Sequence, residues 1–221
     1  MWNERPSSSA SPRNNVRRVD PACPRPDLIA EACDVLSAGG VVGFPAAVMY
    51  GLAADAANPA AVAKVRRLKN RPETNPILLL VPDRGRVTDL AAALPDAAAR
   101  IMDRFWPGNV TLIFAASAKV PRHLVSGAGT IGLRMPLHPV TRALVERFGR
   151  PVTGTSANRS GEPPCLEANQ LNERLAAFPD LILDAGPLPG GAGSTVVDVT
   201  VSPPKVLREG TIRASDILAA V

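Results

Sequence analysis

The sequence predicts one α/β domain, with helices flanking a twisted, mixed sheet that is partly antiparallel. Three observations lead there. The chain has 221 residues, enough for a single domain with a substantial core. Short apolar runs of strand length are interspersed with stretches of helical periodicity. The two kinds of segment do not alternate strictly, and neither a repeat nor a linker divides the chain, so a purely parallel sheet is not expected.

Residues 1–25 are polar, basic and rich in Pro and Ser, without the apolar stretch of a secretory signal. They read as a disordered leader ahead of a domain covering 26–221. Asp27 to Ala38 then forms a helix with Leu28, Ile29, Cys33 and Leu36 on one stripe, ended by Gly39-Gly40. Residues 40–45 form a buried strand. Asn58-Pro59 opens a helix to about Lys69, with Ala61, Val65 and Leu68 inward and Lys64, Arg66 and Arg67 outward. Ile77 to Val81 is a second apolar strand. Short helices near 87–94 and 96–105 follow, before the breaker Pro107-Gly108. Further strands are expected at 110–115, 129–134 and 151–154. A helix opening at His138-Pro139 turns Val140, Leu144, Val145 and Phe148 inward. Strands at 181–184, 194–199 and 204–208 precede a short terminal helix.

Composition narrows the function. No apolar run is long enough to cross a bilayer, so no membrane role is expected. Three cysteines without CxxC spacing fit a reduced, cytoplasmic protein. Two histidines leave little room for a His-rich metal site. The net charge of +5 suits a polyanionic partner, RNA or nucleotide, although Arg5, Arg13, Arg17 and Arg18 of the leader carry most of the excess.

Familiar catalytic signatures are missing. PGGAGST, residues 189–195, has glycines but not the lysine of a Walker motif; no GxGxxG follows a strand, and no GxSxG or HExxH occurs. The unusual polar residues fall just past strand and helix ends, where α/β proteins expose side chains to ligands. In LKNRPETNP, Lys69 and Arg71 stand where a basic helix runs into Pro72, with Asn75 across a turn. A constrained Arg fork suits phosphate oxygens; a solvated helix end facing its own dipole would look the same. In TGTSANRSG, residues 153–161, Ser156 and Asn158 lie among small residues able to cradle an anion, or able simply to cap a helix. Arg134 ends a strand and would pair with a carboxylate, in a ligand or on the surface. Ser194 and Arg208 stand near neighbouring strand edges.

Taken in order, GGVVGFP…YGL, K-x-R-P…NP, FWPG-x-x-TL, TIGLRMPLHP, SANRSG, GSTVVD and LREG are more specific than any one of them. From about 27 to 217 the chain resembles the YrdC-like L-threonylcarbamoyladenylate synthases, in their short form. That resemblance implies a twisted α/β sheet with a basic concave face. It implies ATP contacts from Lys69, Arg71, Asn75, Thr130 and Arg208, with Gly154 contributing through its backbone. Arg134, Ser156 and Ser194 would surround the amino acid and the reacting carboxylate, and Asn158 completes the S-x-N motif. Lys69, Arg71, Ser156 and Asn158 form the implied catalytic set.

The implied reaction joins threonine, bicarbonate and Mg²⁺-bound ATP into threonylcarbamoyl-AMP and pyrophosphate. The product would pass to a tRNA-modifying threonylcarbamoyl transferase, and tRNA or double-stranded RNA would be a further contact. One stretch departs from the pattern. Where the family usually reads P-T-E/D-T-V-Y-G-L, this chain has Pro45-Ala46-Ala47-Val48-Met49-Tyr50-Gly51-Leu52. Leu80 stands where some members have a His, and Pro164 replaces a small polar residue. Two other functions therefore stay open: carbamoyl-adenylate chemistry with a different amino acid or carbamoyl donor, and a non-catalytic nucleotide- or RNA-binding protein.

Overall fold

A computed structural model describes residues 15–72 and 75–221, and the strands arrange into two mixed sheets. In chain order the elements are β1 (Val16–Arg18), α1 (Pro26–Ser37), β2 (Val42–Pro45), β3 (Tyr50–Ala53), α2 (Pro59–Lys69) and β4 (Leu79–Leu80). Then come α3 (Gly85–Leu90), α4 (Asp96–Phe105), β5 (Val110–Ala115), β6 (Thr130–Arg134), α5 (Pro139–Phe148), β7 (Val152–Thr153) and β8 (Thr155–Ser156). The chain closes with α6 (Ala168–Arg174), β9 (Leu181–Asp184), β10 (Thr195–Asp198), β11 (Lys205–Arg208) and α7 (Ala214–Leu218).

The first sheet runs β1-β9-β2-β3-β8 and the second β11-β10-β5-β6-β4-β7. Each mixes parallel pairs (β1 with β9, β10 with β5) and antiparallel ones (β2 with β3, β5 with β6). The mixed α/β class expected from the sequence holds, while the single expected sheet is replaced by two. Residues 152–156 join them: β7 pairs β4 in one sheet, and two residues later β8 pairs β3 in the other. The residue between is Gly154. Its N–H bonds the Leu78 carbonyl at 2.7 Å, and a Cβ there would stand 2.6 Å from Leu80 Cγ, so only glycine lets the chain cross so closely.

The sheets are short, and helices cover them. Ile29, Ala32 and Leu36 of α1 pack with Val140, Leu144 and Val145 of α5 against Val42, Phe44, Leu181 and Leu183. Ala61, Val65 and Leu68 of α2 bury against Leu52, Leu171 and Ile182. On the second sheet, Ile101 and Met102 of α4 meet Leu112, Phe114, Ile131 and Leu133. The helix α2 is fixed at both ends. Asn58 Oδ1 accepts from the Ala60 and Ala61 amides at 3.0 and 3.2 Å, and Asn70 closes the helix in a left-handed conformation. That sharp exit aims Arg71 away from the helix axis.

The structure differs from the expected leader at its C-terminal part. Residues 1–14 lie outside the described residues, but Val16–Arg18 forms an edge strand parallel to β9. Asn15 is 4% exposed and its Nδ2 donates to the Pro179 carbonyl at 2.7 Å. Arg17 makes a two-pronged ion pair with Glu31 of α1, at 3.0 and 2.7 Å. The polar residues that suggested disorder from sequence are the ones that anchor this strand. Two other strands, β3 and β8, and the helix α6 were not expected either. Gly51 weakens the local strand signal of β3, and β8 is only two residues long.

Candidate active site

Between the two sheets lies a cleft of about 590 Å³. Its floor is the face of the second sheet carrying Thr111, Ile113, Gly132, Arg134 and Val196. Gly132 keeps the floor open, since a Cβ there would stand 3.1 Å from Ile113 Cδ1 and require that side chain to shift. One wall is the turn 46–49, closed by the Ala46 N–H to Met49 carbonyl bond at 3.1 Å. Opposite walls come from residues 154–158, from the glycine-rich stretch ending at Ser194, and from Arg71 with residues 76–78.

The charge of this lining is one-sided. Among the described residues it contains Arg71, Arg134 and Arg208 and no carboxylate. Arg71 Nη2 donates to the Pro76 carbonyl at 2.8 Å, and Arg208 Nη2 to the Ser194 carbonyl at 2.8 Å, so each of these bonds goes to a neutral group. Arg71 Nε and Arg134 Nε are buried without a hydrogen-bond partner. Burial, and then the Arg208 guanidinium, push the Arg134 pKa down to about 10; burial, and then Arg66, lower that of Arg71. Both remain cations near neutral pH. Partly buried cations with unpartnered Nε donors, as at Arg71 and Arg134, are stabilised by an anion, and guanidinium forks fit carboxylates and phosphates.

Two hydroxyl clusters complete the cleft. Ser194 Oγ is 2.8 Å from Thr111 Oγ1, and both residues are buried. Ser156 Oγ donates to Asn158 Oδ1 at 2.5 Å, while Asn158 Nδ2 donates to the Arg159 and Glu162 carbonyls at 2.8 and 2.7 Å. Behind this segment lies Lys69, only 2% exposed. Its Nζ donates to the Ser156 carbonyl, to the Asn158 carbonyl at 2.8 Å and to Asn158 Oδ1 at 3.2 Å. Burial, then the neighbouring Arg71, lower its pKa to about 8, opposed in part by Cys165.

Of the residues expected from the sequence, Arg71, Arg134, Gly154, Ser156, Asn158, Ser194 and Arg208 meet in the one cleft. Lys69 stands one layer behind it, holding the Ser156–Asn158 segment. Asn75 is exposed and outside the lining, its carbonyl taken by Arg66 at 2.9 Å. Thr130 sits at the opposite end of β6 from Arg134, with Oγ1 2.7 Å from Ser126 Oγ, and is not in the lining. Thr111 and Asn109 were not singled out. The signal for Thr111 was a hydroxyl at an inward position of an otherwise apolar strand.

The Sua5/YciO/YrdC family model, described as "Telomere recombination", matches residues 34–210. A threonylcarbamoyl-AMP synthase of Bacillus subtilis is 37% identical over 195 residues, which cover 87% of this chain and 56% of that protein. A threonylcarbamoyl-AMP synthase of Alkalilimnicola ehrlichii is 36% identical over 165 residues, covering 73% of this chain and 85% of the other. The crystal structure of Pyrococcus abyssi Sua5 complexed with L-threonine superposes with a TM-score of 0.88 at 32% identity, covering 93% of this chain and 60% of that one. The chain thus spans less than two thirds of the Bacillus and Pyrococcus proteins, and most of the Alkalilimnicola one.

Proposed function

The chain belongs to the Sua5/YciO/YrdC family, and on that premise we propose that it makes threonylcarbamoyl-AMP from threonine, bicarbonate and ATP. One observation carries the reading: among the described residues three arginines line the cleft and no carboxylate does. A cleft so charged suits substrates that bring a triphosphate and a carboxylate together. The threonine amine attacks the carbon of bicarbonate, giving a carbamate and water. A carbamate oxygen then attacks the α-phosphorus, and the bond to the bridging oxygen breaks to release pyrophosphate.

Arg71 and Arg208 neutralise the phosphates, and Arg134 holds the amino-acid carboxylate. Ser156, once its hydroxyl turns from Asn158 Oδ1, and Ser194 hold the carbamate, and Gly154 offers its backbone. Lys69 serves the reaction through the Ser156–Asn158 segment, and Asn75 and Thr130 reach the nucleotide only if their loops close on it. Positioning and fixed electrostatics suffice for this chemistry, and no covalent nucleophile is needed. Among the described residues no group of three or more His, Cys, Asp or Glu could hold a metal. Magnesium is therefore not a resident ion in this reading; it enters with ATP as part of the substrate, held by phosphate oxygens and water.

A mixed anhydride of this kind hydrolyses readily, which supports direct use by a tRNA-modifying transferase, with tRNA as a further contact of the basic surface. Three free cysteines and the want of a helix long and apolar enough to cross a membrane, among the described residues, support a cytoplasmic setting. A second reading, the same chemistry on another amino acid, is favoured by the apolar turn of Ala46, Ala47 and Val48 in the lining. The test is incorporation of labelled bicarbonate into an AMP adduct across a panel of amino acids, with pyrophosphate counted. Adduct formation with threonine above all others is expected. ATP binding with no adduct for any amino acid would overturn the synthase reading.

A further inference from the structure

Tyr50 was not among the residues expected to act, yet its hydrogen bonds reach two walls of the cleft. It begins β3 and is the largest wholly buried side chain among the described residues. Its hydroxyl is committed to the turn that ends β9. It donates to the Gly186 carbonyl at 2.8 Å, lies 3.2 Å from Asp184 Oδ1, and accepts from the Ala185 N–H at 3.1 Å. Asp184 Oδ1 also accepts the Gly186 N–H at 2.9 Å, and Gly186 has φ +85°, open to glycine at little cost.

Two residues before Tyr50, the Val48 carbonyl accepts from the Gly190 N–H at 2.9 Å. Positions 48 and 50 therefore grip the glycine-rich stretch at both Gly186 and Gly190. Just beyond come Gly191, Gly193 and Ser194, on the cleft wall. The Tyr50 main chain grips the opposite wall. Its carbonyl accepts from Ala157, between Ser156 and Asn158, at 2.8 Å, and its N–H donates to the Cys165 carbonyl at 2.9 Å. A Phe would fill the same space without these three polar contacts, so they are what the hydroxyl adds. Burial raises the phenol pKa well above its ordinary value, and the hydroxyl stays a proton donor throughout the working range.

We propose that Tyr50 is a positioning residue that fixes the spacing between the two serine-bearing walls of the cleft, its hydroxyl setting the stretch that delivers Ser194. The proposal rests on the synthase reading for its kinetic consequence only. Glycines give that stretch little conformational preference of its own, so its place in the cleft depends on what holds its ends. A wall misplaced by about an ångström can cost a factor of about 100 in rate.

The experiment is Tyr50→Phe in the full chain. At a temperature well below both thermal midpoints, kcat for adduct formation should fall by about 10- to 100-fold. Amide exchange without substrate should quicken across residues 185–194 and stay unchanged in β5 and β6. A role in packing alone would lower the midpoint and leave kcat intact. An unchanged kcat, or unchanged exchange in that stretch, overturns the proposal. If the wild type forms no adduct with any amino acid, the synthase reading fails by itself and the exchange comparison decides the Tyr50 proposal. Should Tyr50→Phe not fold, Asp184→Ala keeps the ring and removes the acceptor for the Gly186 N–H; it must produce the same local quickening or the proposal falls.

Discussion

Lys69 Nζ lies 2.8 Å from the Asn158 carbonyl oxygen and 3.2 Å from Asn158 Oδ1, so a wholly buried cation is bonded to the segment that carries Ser156, with no carboxylate among its bonded partners. Its folded pKa, about 8, lies below the ordinary 10.5. Between those values the unfolded chain holds the proton that the folded chain has lost, so unfolding takes up a proton and raising the pH opposes it. We predict that stability shifts in favour of the wild type, relative to Lys69→Met, as pH rises from about 8 towards 10.5. The gain is at most about 1.4 kcal/mol per pH unit. Urea unfolding of both proteins over that range measures it, and a difference that stays flat would mean that Lys69 titrates normally.

Arg134 should show the opposite demands of stability and function. It is desolvated, faces Arg208 and leaves Nε unpartnered. Arg134→Met is expected to keep or raise the thermal midpoint while lowering kcat/KM by at least about 100-fold, the scale for losing one preorganised charge donor. A midpoint that falls together with an unchanged kcat/KM would make Arg134 a structural residue.

The turn 46–49 sets the third expectation, which rests on the synthase reading. Sites that hydrogen-bond a substrate hydroxyl reject analogues without it by about 10⁴ or more, whereas an apolar wall separates such analogues by about 1–3 kcal/mol. With Ala46, Ala47 and Val48 in the lining, the ratio of rates for threonine over valine should lie below about 10⁴. The triple substitution Ala46→Thr, Ala47→Glu, Val48→Thr should raise it. A larger wild-type ratio would show that residues elsewhere in the cleft read the hydroxyl.

The strand β1 gives a test free of any functional reading. A chain beginning at Asn15 keeps the β1–β9 ladder and the Arg17–Glu31 pair; one beginning at Pro26 loses both and uncovers Leu183. The shorter chain should melt at least about 5 °C lower. Equal midpoints in calorimetry would return residues 15–25 to the status of a dispensable leader.

Local patterns were legible wherever the physics was local. The α2 boundaries follow from Asn58, Pro59 and Asn70, and α5 from its apolar stripe and the closing Gly149. Most candidate residues could be named because basic and small polar side chains past strand ends are costly unless something uses them. The missed strands have two causes. β1 and β8 are held by partners far along the chain, as in the pairing of Val16 with Ile182, whereas β3 pairs with its neighbour β2 but has its own strand signal weakened by Gly51.

By itself the sequence determined the α/β class, the main helices, and the family resemblance with its ten candidate site positions. Only the tertiary structure decided which of these converge. It drew Arg71, Arg134 and Arg208 into one cleft with no carboxylate among the described residues of its lining, set Lys69 behind Asn158 instead of beside them, and left Thr130 at the far end of its strand. Periodicity and capping depend on neighbours within a turn or two of helix. The direction of a long side chain depends on backbone brought from elsewhere; Lys69 points to a segment 89 residues away because that segment offers carbonyl oxygens to a cation that burial has cut off from water.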